Sequence, residues 1–221
     1  MSGLLDSRDS TVNDPVNRLR RRVLRGMAAL PVAGFSATGL AASVPTPSAS
    51  EGPFYPPAQM RFEDVDNDLV KIAGKVEQAG GEIVMLGGRV LDAGGKPVAG
   101  ARIEIWQCDV NGRYLHRADQ GGTARDAGFQ GFGHDISGAD GSYLFRTIKP
   151  VPYAGRTPHI HVKVLVDDRE RLTTQFYLAD YPGNARDWLY RRVPETELER
   201  ITLRFEDRTD TTPQARLDIV V

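Results

Sequence analysis

Cysteine is almost missing from this chain, with Cys108 the single one in 221 residues. That excludes an intrachain disulfide and a cysteine-rich zinc module, and Cys108 itself reads as a small buried hydrophobe. Charge of one sign is missing too. Lys and Arg number 28 against 29 Asp and Glu, a net charge of -1, so nothing marks a nucleic-acid partner. No uninterrupted apolar run reaches the roughly 18 residues that an integral membrane helix needs. Strong helical periodicity is scarce after residue 75. What remains is 40% hydrophobic and 26% charged, a globular balance, with 23 Gly and 14 Pro suited to many turns.

The charge is unevenly placed. Residues 1–42 carry six Arg and three Asp, a balance of +3, which leaves -4 for the remainder. Arg20-Arg21-Arg22-Val23-Leu24-Arg25 precedes a short, mildly apolar stretch and then the small residues Ser36 to Ala42. Basic region, apolar region and small-residue zone are the parts of an export signal, and the paired arginines resemble the twin-arginine (Tat) type. The alternative is a basic tail. Residues 1–42 are therefore expected to be a signal peptide, 43–50 a linker rich in Pro and Ser, and 51–221 one domain. The expected location is periplasmic or secreted.

The domain reads as all-β. Strand signals recur at short spacing: Ile83–Leu91, Ala101–Trp106, Ser142–Ile148, His159–Leu165, Leu172–Tyr177, Ile201–Phe205 and Leu217–Val221, with period-2 alternation in Ala101–Trp106 and His159–Leu165. Turn signals separate them, among them Asp92-Ala93-Gly94-Gly95, Asp140-Gly141 and Asp167-Asp168. Short strands at this spacing predict a β-sandwich or barrel. Residues 207–216 read as a polar loop, 184–200 as room for one short helix, and His134 as a loop residue. Asp64–Asp68 reads as a polar turn, since it lacks the Gly and distant Glu of a calcium loop.

His159-Ile160-His161 lies in one alternating segment. Strand positions i and i+2 share a face, so both imidazoles point toward one place, as two ligands of one metal must. The plainer alternative is two histidines on a solvent-facing strand, because a metal site needs more ligands than two. Phenols are the nearest candidates: Tyr114, Tyr143 and Tyr153. A free phenol has a pKa of about 10, so ionising it at neutral pH takes a strongly acidic ion such as Fe(III). Arg156, three residues before His159, offers forked donors to an oxyanion, or else pairs with a carboxylate at the surface.

Together these segments resemble the intradiol ring-cleavage catechol dioxygenase family. The resemblance runs from Glu51-Gly52-Pro53-Phe54-Tyr55 and Asp66-Asn67-Asp68-Leu69 to about Pro182. Its densest pieces are Ile103–Gln107 with Asn111-Gly112-Arg113-Tyr114, Phe129–Gly133, Asp140–Pro150, Tyr153 with Arg156–His161, and Leu172–Gln175. It implies a β-sandwich with non-haem Fe(III) between the sheets, held by Tyr114, Tyr153, His159 and His161. It also implies a catechol-type substrate and O2, cleavage between the two hydroxylated carbons to a cis,cis-muconate-type diacid, and self-association into a homo-oligomer. Tyr153 would leave the metal with a substrate proton, Arg156 would stabilise the ketonised substrate, and Gln175 would hydrogen-bond nearby. Tyr143 then reads as packing, His116 as a neighbour of the site mouth, and Phe54 and Tyr55 as pocket walls. Only Ala154 and Gly155 separate Tyr153 from Arg156, a shorter stretch than in the catabolic members, which implies a more open site. Two alternatives keep the scaffold and drop the reaction: a transthyretin-like binding module, and a zinc protein using His159, His161 and a carboxylate.

Overall fold

A computed structural model describes residues 43–221 except Ala154, Thr209 and Asp210. The expected leader lies outside the described residues. The strands are β1 (Ile83–Leu91), β2 (Arg102–Trp106), β3 (Phe132–Ile136), β4 (Ser142–Ile148), β5 (His159–Val166), β6 (Arg169–Leu178), β7 (Thr202–Leu203), β8 (Glu206–Arg208), β9 (Thr211–Arg216) and β10 (Ile219–Val220). They form two five-stranded sheets. In the first, β1 pairs antiparallel with β4 and in parallel with β9 and β10, and β8 pairs with β9. The second has the order β3-β2-β5-β6-β7.

Alternation along the strands explains the layering. Ile103 and Ile105 of β2, Ile160, Val162 and Val164 of β5, and Leu172 and Phe176 of β6 share one core with Leu86, Val90 and Phe145 of the first sheet. The intervening residues, Glu104, Trp106, His159, His161, Lys163, Gln175 and Tyr177, take the opposite face of the second sheet, because side chains alternate on a strand. They are buried nonetheless. A second cluster built on Trp106, Cys108, Tyr114 and Phe132 covers this face, together with Phe54, Tyr55, Val65, Val151 and Tyr153. The expectation of a site between the sheets is thereby corrected. The histidines point away from the inter-sheet core and under the loops.

Several boundaries differ from the sequence reading, each for a physical reason. The 207–216 segment holds strands β8 and β9 rather than a loop, because β9 gains a partner from β1 at Met85–Gly87, a tertiary pairing that local polarity does not announce. His134 sits on β3 opposite Glu104 of β2, not in a loop. The short helix near 184–200 is broken up: Glu195–Leu198 is α-helical, while 184–186, 190–192 and 199–201 are single 3-10 turns. Pro194 cannot donate a backbone bond and so stops any continuous helix there. The β5–β6 hairpin turns at Asp167 and Asp168, both at positive φ (52° and 58°), as a two-residue turn compatible with sheet twist requires.

Residues 43–50 have no regular structure, yet they do not hang free. Thr46 exchanges bonds with Val220 (3.1 and 2.9 Å), Ala49 N–H donates to Thr173 O (2.8 Å), and Thr174 Oγ1 donates to Pro47 O (2.7 Å). The segment read as a linker is a strap along the edge of the described fold.

Candidate metal centre

His159 and His161 open β5, opposite Tyr177 and Gln175 of β6, and Trp106 of β2 faces His161. The two Nε2 atoms lie 3.1 Å apart. Thr157 O accepts from His159 Nδ1 at 2.7 Å, which leaves the Nε2 of that ring with its lone pair free. The His161 ring lies flat on the Trp106 indole, 4.7 Å away at 10°.

Two phenols close the circuit. Tyr114 comes from the loop after β2, which Asp109 and Asp119 hold through the backbone of Arg113 and Tyr114. Tyr153 comes from a tight turn in which its backbone and that of Arg156 bond to each other. Gly155 makes that turn at φ 80°, a conformation open to glycine at little cost. Ring centres then run Tyr114 to Tyr153 4.9 Å, Tyr153 to His159 5.5 Å, His159 to His161 4.7 Å and His161 back to Tyr114 5.9 Å. The four predicted ligands therefore lie in one neighbourhood, each ring beside two of the others.

The electrostatics of this pocket follow from its burial. Burial, with the Arg156 charge, lowers His159 to about 4, and burial, His159 and Arg156 hold His161 well below the usual histidine range. Both rings are neutral at pH 7, as ligands must be. Burial pushes the Tyr114 phenol well above its usual range and raises Tyr153 as well. The Tyr114 hydroxyl is fully buried beside the Tyr153 phenol. Left alone, such phenols stay protonated; a trivalent cation beside them reverses this. Among the described residues no group of three or more His, Cys, Asp or Glu assembles a metal site. The zinc alternative lacks its carboxylate. Two imidazoles and two phenols fit ferric iron better than they fit a divalent ion.

Arg156 stands at the edge of this ring of donors with 12% of its side chain exposed. Its Nε donates to Asp187 Oδ2 at 2.7 Å and its Nη2 to Gln175 Oε1 at 2.8 Å. Gln175 also accepts from the Tyr177 hydroxyl (2.9 Å) and donates to Ser50 O in the strap (3.0 Å). Of the two readings of Arg156, the structure shows the pairing with a carboxylate, in the interior beside the phenols and not at the surface. Phe54 stacks on Tyr114 at 5.0 Å and helps to line a cleft of about 320 Å3 with Tyr153, Gly112, Pro152, Asn111 and Thr123. Tyr55 instead meets Trp106 edge-on and donates to Glu104, on the far side from the cleft. The His116 ring lies 5.9 Å from Phe54. Tyr143 belongs to the main core and donates to Leu217 O at 2.6 Å.

Sequence reasoning did not find Asp187, Tyr177 or Trp106 as neighbours of the site. Asp187 lies 31 positions from Arg156, in a stretch with no motif, so only the fold joins them. Trp106 and Tyr177 were within reach, because pairing β5 with its neighbours sets them beside His161 and His159.

A family model described as Dioxygenase matches residues 50–211. The protocatechuate 3,4-dioxygenase beta chain of Burkholderia cepacia is 39% identical over 158 residues, which cover 68% of this chain and 66% of that protein. The catechol 1,2-dioxygenase of Candida albicans is 31% identical over 172 residues, 66% of this chain and 51% of that one. The chain thus spans about two thirds and about half of these relatives. Among solved structures, the dioxygenase domain of a dioxygenase carbohydrate-binding protein fusion from Streptomyces sp. SirexAA-E superposes with a TM-score of 0.60 at 31% identity, covering 80% of this chain and 98% of that domain. The chain thus belongs to the intradiol ring-cleavage dioxygenase family.

Proposed function

We propose that this protein is a non-haem Fe(III) intradiol dioxygenase that opens catechol-type rings between the two hydroxylated carbons with O2, giving cis,cis-muconate-type diacids. The observation that carries the reading is the closed circuit of Tyr114, Tyr153, His159 and His161. Ferric iron held there supplies the Lewis acidity that makes a chelated catecholate reactive toward O2.

The chain's own residues divide the remaining work. His159 and His161 would hold the ion through neutral Nε2 atoms. Tyr114, buried on all sides, would anchor it as a phenolate. Tyr153 is half-buried and borders the cleft, and its phenol would accept a proton from an incoming catechol hydroxyl. Arg156 directs a fixed positive charge at substrate oxygen as the ring ketonises. Gln175 steadies the guanidinium through Nη2. Phe54 and Trp106 keep water from the donors by packing on Tyr114 and His161.

The open cleft beside the short Tyr153–Arg156 turn favours substituted catechols over tightly enclosed ones. With the Tat-like leader, it points to catechols met outside the cytoplasm, such as plant- or lignin-derived aromatics. The test is to load the purified protein with iron, record visible absorption, and follow oxygen uptake with a broad catechol panel and product identification. A tyrosinate-to-iron band and muconate-type products are expected. A colourless iron-loaded protein that consumes no oxygen with any catechol overturns the reading.

A further inference from the structure

The Asp187 carboxylate is the most completely engaged group near the site, although no part of it reaches the ring of donors. Its side chain is 0% exposed. Oδ2 accepts from Arg156 Nε at 2.7 Å and from Thr157 N–H at 2.9 Å. Oδ1 accepts from the backbone N–H groups of Leu189 (2.9 Å) and Tyr190 (3.0 Å). Four donors thus fix both oxygens, and the carboxylate cannot rotate to follow a moving guanidinium. A buried carboxylate costs free energy unless it is paired, so its presence beside Arg156 calls for a reason.

The geometry supplies one. Arg156 is anchored at two points on different nitrogens, Nε by Asp187 and Nη2 by Gln175. A planar guanidinium held at two nitrogens has its plane and heading fixed. The third nitrogen, Nη1, then has the direction left open by the other two. Thr157 adds a brace: its N–H binds the same Oδ2, and its hydroxyl bonds Asn184, which donates to Leu178 O at 3.0 Å. The turn bearing Tyr153 and Arg156 is thereby tied to the end of β6.

We propose that Asp187 is a positioning residue that sets the heading of the Arg156 guanidinium toward bound substrate. It touches neither substrate nor metal and acts only through Arg156. The catalytic consequence rests on the dioxygenase reading above, whereas the pairing itself does not.

Two measurements test this separately. In the metal-free protein, hydrogen exchange of the Arg156 Nε–H, followed by 15N NMR, is expected to be slow and to quicken at least about 10-fold in Asp187→Asn, with the fold retained by thermal melting. Equal exchange in the two proteins overturns the proposal. In the iron-loaded enzyme, Asp187→Asn is expected to lower kcat by about 10- to 100-fold and to leave the visible tyrosinate band in place. In an Arg156→Ala background the same substitution is expected to change kcat by less than about 2-fold. An undiminished loss in that background, or a displaced band, shows that Asp187 serves the whole site and overturns the proposal. Should Asp187→Asn not fold, Asp187→Glu keeps the charge and shifts it by a methylene, and the same readouts apply. If wild-type enzyme cleaves no catechol while the exchange result holds, the dioxygenase reading fails and the pairing stands.

Discussion

Tyr114 and Tyr153 carry the same functional group and differ in surroundings. Tyr114 is 2% exposed beneath Phe54, whereas Tyr153 borders the cleft. Tyr114→Phe should therefore bleach much of the visible band of iron-loaded protein and lower kcat by more than about 100-fold, read by absorption and oxygen uptake. Tyr153→Phe should retain part of the band, since Tyr114 still donates, while losing the proton acceptor. The histidines give a pH prediction. His159 is lowered from 6.5 to about 4, so the unfolded chain takes up a proton in that interval that the folded chain refuses. Stability of the metal-free protein should be full above pH 6.5 and decline as pH falls toward 4, and urea melts across that range read it. Unchanged midpoints would contradict a buried neutral His159. At this scale the sequence was most informative where chemistry is local. A His-x-His on a strand states its own geometry, and Tyr153, Arg156 and His159 lie within one short stretch. Asp187 was illegible because a carboxylate in a motif-free segment looks like any surface acid until the chain folds.

At the scale of elements, the second sheet is what converts period-2 patterning into a site. One parity of β5 serves the core with Ile160, Val162 and Val164, and the other holds His159, His161 and Lys163. Lys163 ends that row by pairing with Glu51 and lying 4.1 Å over the Tyr55 ring. The first sheet has a different demand, close approach. A Cβ on Gly88 of β1 would lie 2.0 Å from Leu217 O and 2.7 Å from Leu217 C, both backbone atoms. Gly88→Ala should cost about 1–3 kcal/mol in stability, seen in denaturant melts, with kcat per folded molecule unchanged because the site lies on the other sheet. Strands β1, β4 and β5 were legible because each is rich in apolar and β-branched residues and is set off by turn signals. Strands β3, β8 and β9 were not. Thr211–Arg216 contains Pro213 and little apolar character, and it becomes a strand only because β1 and β8 offer it backbone partners.

For the whole molecule, the sequence separates a basic N-terminal region from a slightly acidic domain. The export reading predicts that Arg20→Lys with Arg21→Lys leaves the protein in the cytoplasmic fraction of its host with catalytic constants intact, checked by fractionation and assay of purified protein. Secretion at the wild-type level would refute it. No helix among the described residues is long and apolar enough to cross a membrane. The described domain holds two separate apolar groupings, one between the sheets and one under the loops, with the phenols Tyr114 and Tyr153 belonging to the second. Tyr177 packs against the first grouping from the other face of its strand, and its hydroxyl donates to Gln175 Oε1 and accepts from Arg156 Nη2. Residues that border the cleft without donating, such as Asn111, Thr123 and Pro152, can accordingly be varied while Tyr114, Tyr153 and the strands beneath are kept.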